Sequence, residues 1–279
     1  MTTKNSDVWN VAVAALLAAA AVVLCYSDVF FGAYLSKNFR PNPPAVWVIA
    51  MAGGAAVLAA AIALVWPRFR TGLVRVLAAT AFVFLIYRPM AMPWSYWLST
   101  LSLSRAEQYW IFRGPGGAIF GLLPSAIVVV LVGHYVFGVS VREQWNGRLR
   151  PSIRDLVYGG SAAALLSTVF LIGAAATGNG RVAWEPNWAG HGANLFSNLY
   201  EELLARGLLL QVCRRSGGNW FAIFWTAVVF GAMHPFGWFA VGVASTAWII
   251  AWVILRSGSL WAGYFMHQGL DFFMDSLLH

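Results

Sequence analysis

Apolar residues run almost unbroken through most of this chain, in stretches separated by short segments that hold Pro, Gly and nearly all of the charge. Crossing a bilayer core as helix takes about 20 predominantly apolar residues. Nine stretches meet or approach that length: 8–26, 45–66, 73–87, 118–137, 156–176, 195–212, 220–237, 239–255 and 260–278. Pro41, Pro43 and Pro44 stand between the first two, where a helix cannot continue, and Gly114-Pro115-Gly116-Gly117 precedes the fourth. Residues 88–113 are too polar to span but carry Trp94, Tyr96, Trp97, Tyr109, Trp110 and Phe112. Ser104 followed by Glu107 forms a capping-box pattern there, and aromatics of this kind belong at headgroup level. That segment therefore reads as an interfacial helix.

Composition fixes the class. Of 279 residues, 60% are hydrophobic and 10% charged, with a mean hydropathy of +0.68, whereas soluble domains run at about 25% charged residues. The expected fold is all-α, a polytopic transmembrane helical bundle of about eight to nine spans. Alanine-rich runs in the first, second and fifth stretches supply small side chains for close helix packing. No internal repeat is visible.

The net charge of +8 follows from loops that collect Lys and Arg, and no basic stripe interleaved with aromatics points to nucleic acid. With nine spans, one face receives eleven basic residues, among them Lys4, Arg68, Arg142, Arg154, Arg214 and Arg256. The other face receives six, among them Lys37, Arg88, Arg113 and Arg181. The tally places the N-terminus in the cytoplasm and the C-terminus opposite. The 19-residue first stretch exceeds a signal-peptide core and reads as a retained helix. Cys25 and Cys213 have no CxxC or Cys-His spacing, so no disulfide framework or zinc knuckle is indicated.

Ionisable groups inside the apolar stretches are concentrated late in the chain. The first 155 residues hold hardly any, His134 aside, and several follow from Leu195 onward. Residues 1–155 accordingly read as an N-terminal scaffold and 156–279 as the working half, divided at the basic loop ending near Pro151 and Arg154.

The stretch Asn198-Leu-Tyr-Glu-Glu-Leu-Leu-Ala-Arg206 puts two carboxylates and a guanidinium into an apolar helix. A charge in the membrane costs about 2.5–3.5 kcal/mol on insertion scales, so such residues are functional by default. Glu202 and Arg206 are four apart with the carboxylate first, the favourable order for an ion pair. Glu201 lies about 100° around the helix, directed elsewhere. Alone, the cluster reads equally as a structural Glu-Arg tie between helices. His234, near the end of the seventh stretch, by itself reads as a satisfied interfacial histidine. In the ninth, His267 and Asp271 are four apart and share a face, where the aspartate can orient the histidine or share its proton.

Depth links these groups. At about 1.5 Å per residue, Glu201 lies roughly 9 Å from the Leu195 end and His234 about 5 Å from the Gly237 end. Asp271 and His267 lie about 11 and 17 Å from the Leu278 end. Alternating topology puts all three ends on one side, within reach of one cavity. Such a set suits hydrolysis by activated water: Glu201 as general base, a histidine sharing the proton, and His267 with Asp271 holding the developing oxyanion. No serine or cysteine occupies a nucleophile setting. A zinc site of Glu and His ligands is a weaker alternative, since no HExxH is present.

Three short patterns resemble those of the CPBP family, which includes type II CAAX prenyl endopeptidases (Ras-converting enzymes) and bacteriocin-processing and immunity relatives. Glu201-Glu202-Leu-Leu-Ala-Arg206 is similar to its EExxxR motif, Phe230-Gly-Ala-Met-His234 to FxxxH, and His267-Gln-Gly-Leu-Asp271 to HxxxN with Asp for Asn. The resemblance covers about 195–278. It implies a metal- and cofactor-free glutamic intramembrane endopeptidase of the bacterial plasma membrane, acting on a membrane-associated protein or peptide. Glu201 would activate water with His234, His267 and Asp271 would form the oxyanion site, and Glu202, Arg206 and Phe230 would support them. Asp271 departs from the amide at its position: an ionised carboxylate repels an oxyanion, so it either carries a proton or orients His267. Two rivals are a non-catalytic scaffold or immunity-type protein that binds a partner, and a proton-coupled carrier using Glu201, His267 and Asp271 as a relay.

Overall fold

The computed structural model describes residues 3–26, 70–87, 104, 122–178, 181–234 and 238–277. The stretch at 45–66 and the interfacial helix with its Ser104–Glu107 cap lie outside the described residues, Ser104 apart. The fold is all-α and helix-rich: α1 (Thr3–Tyr26), α2 (Arg70–Tyr87), α3 (Leu123–Tyr135), α4 (Val141–Gln144), α5 (Ile153–Thr177), α6 (Trp188–Glu202), a π-helix (Leu203–Leu209), α7 (Leu210–Ala232), α8 (Trp238–Ser257) and α9 (Leu260–Leu277). Among the described residues, two helices are long and apolar enough to cross a membrane, Ile153–Thr177 and Phe239–Ser257. Three shorter apolar helices accompany them: Asn10–Ala21, Thr71–Tyr87 and Leu123–Tyr135.

The described residues fall into two compact units, one within Met1–Trp97 and Leu208–Trp248, the other within Leu98–Gly207 and Ile249–His279. In the first, α1 buries Val11, Ala14, Ala15, Ala18 and Ala21, a helical stripe of small side chains, and packs on α2. Trp225 of α7 donates from Nε1 to Thr80 Oγ1 of α2 at 2.9 Å. Within α7, Gly218 (φ 82°, ψ −178°) leaves helical geometry, a left-handed φ that glycine adopts without a Cβ penalty. The element is therefore two helices joined at Ser216-Gly217-Gly218, near the break between the sixth and seventh apolar stretches.

The second unit is organised on α5 against α9. Ser152 caps α5 in a capping box with Asp155, and left-handed Gly178 closes it. Its buried residues, Asp155, Gly159, Ala163 and Ser167, recur every four positions, while Leu165, Val169 and Ile172 face outward. Small side chains inward and large apolar ones outward is the arrangement of a helix whose surroundings are as apolar as its core. Contact is close: a Cβ on Gly159 would strike the Ala262 carbonyl and lie 2.8 Å from Met266 N, whereas at Gly160 it would meet nothing within 4 Å. Gly159→Ala is expected to destabilise the protein by about 1–3 kcal/mol through overpacking. Gly160→Ala should be neutral or stabilising by up to about 1 kcal/mol. Thermal unfolding in detergent compares them, and equal effects would contradict the seam.

The helix carrying the acidic pair departs from expectation. It starts at Trp188 rather than near Leu195, because Asn187 caps it with a side-chain oxygen 3.0 Å from Gly190 N. It then widens over Leu203–Leu209 into a π-helix, a form found chiefly as single turns at functional sites. Leu203, Leu204, Ala205, Arg206, Leu208 and Leu209 are all buried. Within the second unit, Gly207 lets this turn lie against α4, where an added Cβ would be 3.0 Å from the Gln144 carbonyl oxygen. Gln144 is itself fixed, donating from Nε2 to Val130 O and Val139 O at 3.0 Å each.

Candidate active site

Within the second unit α6 and α9 run antiparallel, joined by polar contacts in reverse order along the two helices. His191 Nε2 lies 2.9 Å from Ser276 Oγ, Asn198 Nδ2 is 2.8 Å from Asp271 Oδ2, and His267 Nδ1 is 2.9 Å from Glu202 Oε1. Tyr264 Oη adds a bond to Leu195 O at 3.1 Å. The helical periods of α6, the π-helix that continues it and α9 thus bring Glu201, Glu202, Arg206, His267 and Asp271 into one cluster.

Glu202 lies at its centre. Its Oε1 accepts from Arg206 Nη1 at 2.9 Å and from His267 Nδ1 at 2.9 Å, and both Glu202 and Arg206 are fully buried. Such a pair persists in low dielectric only when each charge is compensated. Glu202 Oε2 is buried with no hydrogen-bond partner among the described residues. A carboxylate only accepts, so Nδ1 of His267 carries the donated proton. The second partner of Glu202 was not expected from the sequence, where it paired with Arg206 alone.

The far nitrogen of His267 faces the other two acids. Nε2 is 4.0 Å from Glu201 Oε2 and 4.0 Å from Asp271 Oδ1, both beyond hydrogen-bond range. Glu201 Oε1 lies 3.5 Å from Ser197 Oγ, a long contact. Burial is graded: the side chains of Glu202, Glu201 and Asp271 are 0%, 12% and 32% exposed. Asp271 is the acid most open to solvent. What fixes it is Asn198, a buried residue with no part in the sequence motifs.

His234 belongs to the first unit. Its Nδ1 lies 2.8 Å from the Phe230 carbonyl, one turn back, so Nδ1 donates and Nε2 is the basic nitrogen of the neutral ring. The rings of Phe230, Tyr87 and Phe239 surround it at centroid distances of 4.9, 6.4 and 6.3 Å. Spacing alone did not suggest this fixed tautomer. Among the described residues no group of three His, Cys, Asp or Glu side chains is arranged to hold a metal ion.

The chain's second half is similar to a known family: a model described as "Type II CAAX prenyl endopeptidase Rce1-like" matches residues 183–273. That interval takes in α6, the π-helix, α7, α8 and most of α9, and with them both carboxylates, Arg206, His234, His267 and Asp271. No curated protein and no solved structure matches the chain.

Proposed function

From the CPBP/Rce1-like CAAX protease domain matched over residues 183–273, we propose that this chain is a glutamic intramembrane endopeptidase. It hydrolyses a peptide bond in a membrane-anchored, lipidated or exported protein. The observation that carries this reading is the two-sided setting of His267. Glu202, itself held by Arg206, takes Nδ1 at 2.9 Å, while Nε2 meets Glu201 and Asp271 at 4.0 Å each.

A separation of 4.0 Å is too long for a direct bond, but one oxygen atom about 2.8 Å from each partner spans it. Glu201 takes a proton from such a water as its oxygen bonds to the scissile carbonyl carbon. As an imidazolium, His267 donates from both nitrogens, Nδ1 to Glu202 and Nε2 to the oxyanion that develops. Collapse breaks the C–N bond, and the amine leaves with the proton Glu201 took up. His234 serves by family resemblance as the second base, and its Nδ1 bond to Phe230 supports that role by leaving Nε2 basic.

The wider setting in this proposal is a multi-pass protein of the bacterial plasma membrane with about nine spans. Residues 1–155 are its scaffold and 156–279 its catalytic part. The N-terminus is cytoplasmic and the site opens away from the cytoplasm, which favours exported substrates over cytosolic lipidated ones. A reporter fused after His279 is expected to be active outside the cytoplasm; cytoplasmic activity would remove the orientation.

The reaction is tested with the purified chain in liposomes and two internally quenched probes. One is a peptide with a farnesylated cysteine four residues from its C-terminus, the other an unlipidated single-span peptide. Cleavage of at least one is expected without an imposed pH gradient and without loss on adding 1,10-phenanthroline. Cleavage abolished by the chelator would point to a metal enzyme. No cleavage, with pH-driven uptake into the liposomes instead, would favour the carrier.

A further inference from the structure

Asn198 stands one turn before Glu202 on α6 and is 3% exposed. Its amide nitrogen donates twice across to α9, to Asp271 Oδ2 at 2.8 Å and to Gln268 Oε1 at 3.1 Å. Both N–H groups are thus used, and the orientation of the amide is set.

We infer that Asn198 is a positioning residue, holding one oxygen of Asp271 so that the other faces Nε2 of His267. The inference rests on the protease reading above. Three observations carry it. Asp271 is the most exposed of the three acids, at 32%, and two rotatable bonds would otherwise let its carboxylate swing toward solvent. The Asn198 bond takes Oδ2, and the remaining Oδ1 is the atom 4.0 Å from His267 Nε2. Asn198 also supplies, from α6, the amide donors that the aspartate at 271 lacks. An N–H directed at Oδ2 offsets part of the carboxylate's charge beside a developing oxyanion. Asn198 and Asp271 together act as an amide–carboxylate unit shared by two helices.

A purely structural pin is the competing role. The same two helices are already tied by His191–Ser276, Tyr264–Leu195 and His267–Glu202. Loss of Asn198 should therefore register in turnover more than in stability.

The test measures kcat, KM and melting temperature, per folded protein, with whichever of the two quenched probes the wild type cleaves faster. Asn198→Leu keeps the shape and removes both donors. Its kcat is expected to fall roughly 10- to 100-fold, the worth of one hydrogen bond to a charged group, with KM within about twofold. Asn198→Asp sets two carboxylates against each other and should fall at least as far. Asp271→Asn keeps an acceptor for the Asn198 amide, and its kcat is the reference against which the exchange variant is read. The exchange Asn198→Asp with Asp271→Asn restores an amide–carboxylate bond, with Gln268 turning its NH₂ toward residue 198. It should recover kcat to within a few-fold of Asp271→Asn.

Wild-type kcat in folded Asn198→Leu would overturn the inference while leaving the protease reading intact. An exchange variant no faster than Asn198→Asp would do the same, and decides the matter if Asn198→Leu does not fold. A wild type that cleaves neither probe removes the protease reading and this inference with it.

Discussion

Glu201→Gln is expected to slow peptide-bond cleavage by about a hundred- to ten-thousand-fold, the contribution of a well-placed general base. Glutamine keeps the shape and hydrogen-bonding length of the side chain but cannot accept the water's proton. Glutamine can also keep the 3.5 Å contact to Ser197 Oγ. Burying a neutral amide also costs less than burying a carboxylate, so the melting temperature should hold or rise. A fall in rate together with a stable fold separates the role of Glu201 from that of its neighbour. Rate and melting temperature measured on the same detergent preparation check this. A variant that turns over at the wild-type rate removes Glu201 as the base.

Arg206→Met is expected to act on the fold instead. It leaves the Glu202 charge fully buried with His267 as the partner that remains on Oε1. Breaking a buried pair by removing one member costs about 3–5 kcal/mol, far more than the pair contributes net. Combining it with Glu202→Gln removes the stranded charge, and the double variant should be more stable than Arg206→Met alone. The amide that replaces the Glu202 carboxylate can still accept from Nδ1 of His267 through its oxygen, so part of the cluster survives. Denaturation of the set in mixed micelles measures the coupling. A double variant less stable than Arg206→Met would contradict an ion pair whose worth lies in mutual compensation. Substitution at Glu201 and at Arg206 thus divides catalysis from support.

Much of the helical layout is written in local pattern. The Ser152–Asp155 box opens α5 where the apolar run begins, and the Gly217-Gly218 pair breaks α7 between two such runs. Glu202 and Arg206 pair as their four-residue spacing requires. What local pattern does not carry is rotation and register between helices. His267 and Asp271 share a face, yet each is held from α6 rather than by the other, and they stand 4.0 Å apart. The role of Asn198 was hidden for that reason: its partners are 70 and 73 positions away. The start of α6 was hidden by composition, since Asn187, His191 and Asn194 interrupt the apolar run. Asn187 as a cap was the available signal. The π-helix leaves no trace in hydrophobic period, because every position in it is buried.

The proposed activity is cleavage of peptide bonds in membrane-anchored proteins. Mass spectrometry of C-termini in the membrane fraction tests it most directly, comparing cells that make the wild type, the Glu201→Gln variant or neither. Shortened C-termini are expected on one or more membrane proteins with the wild type alone, and full-length forms in the other two. Identical C-termini in all three, with both forms of the chain present in the membrane, would contradict it.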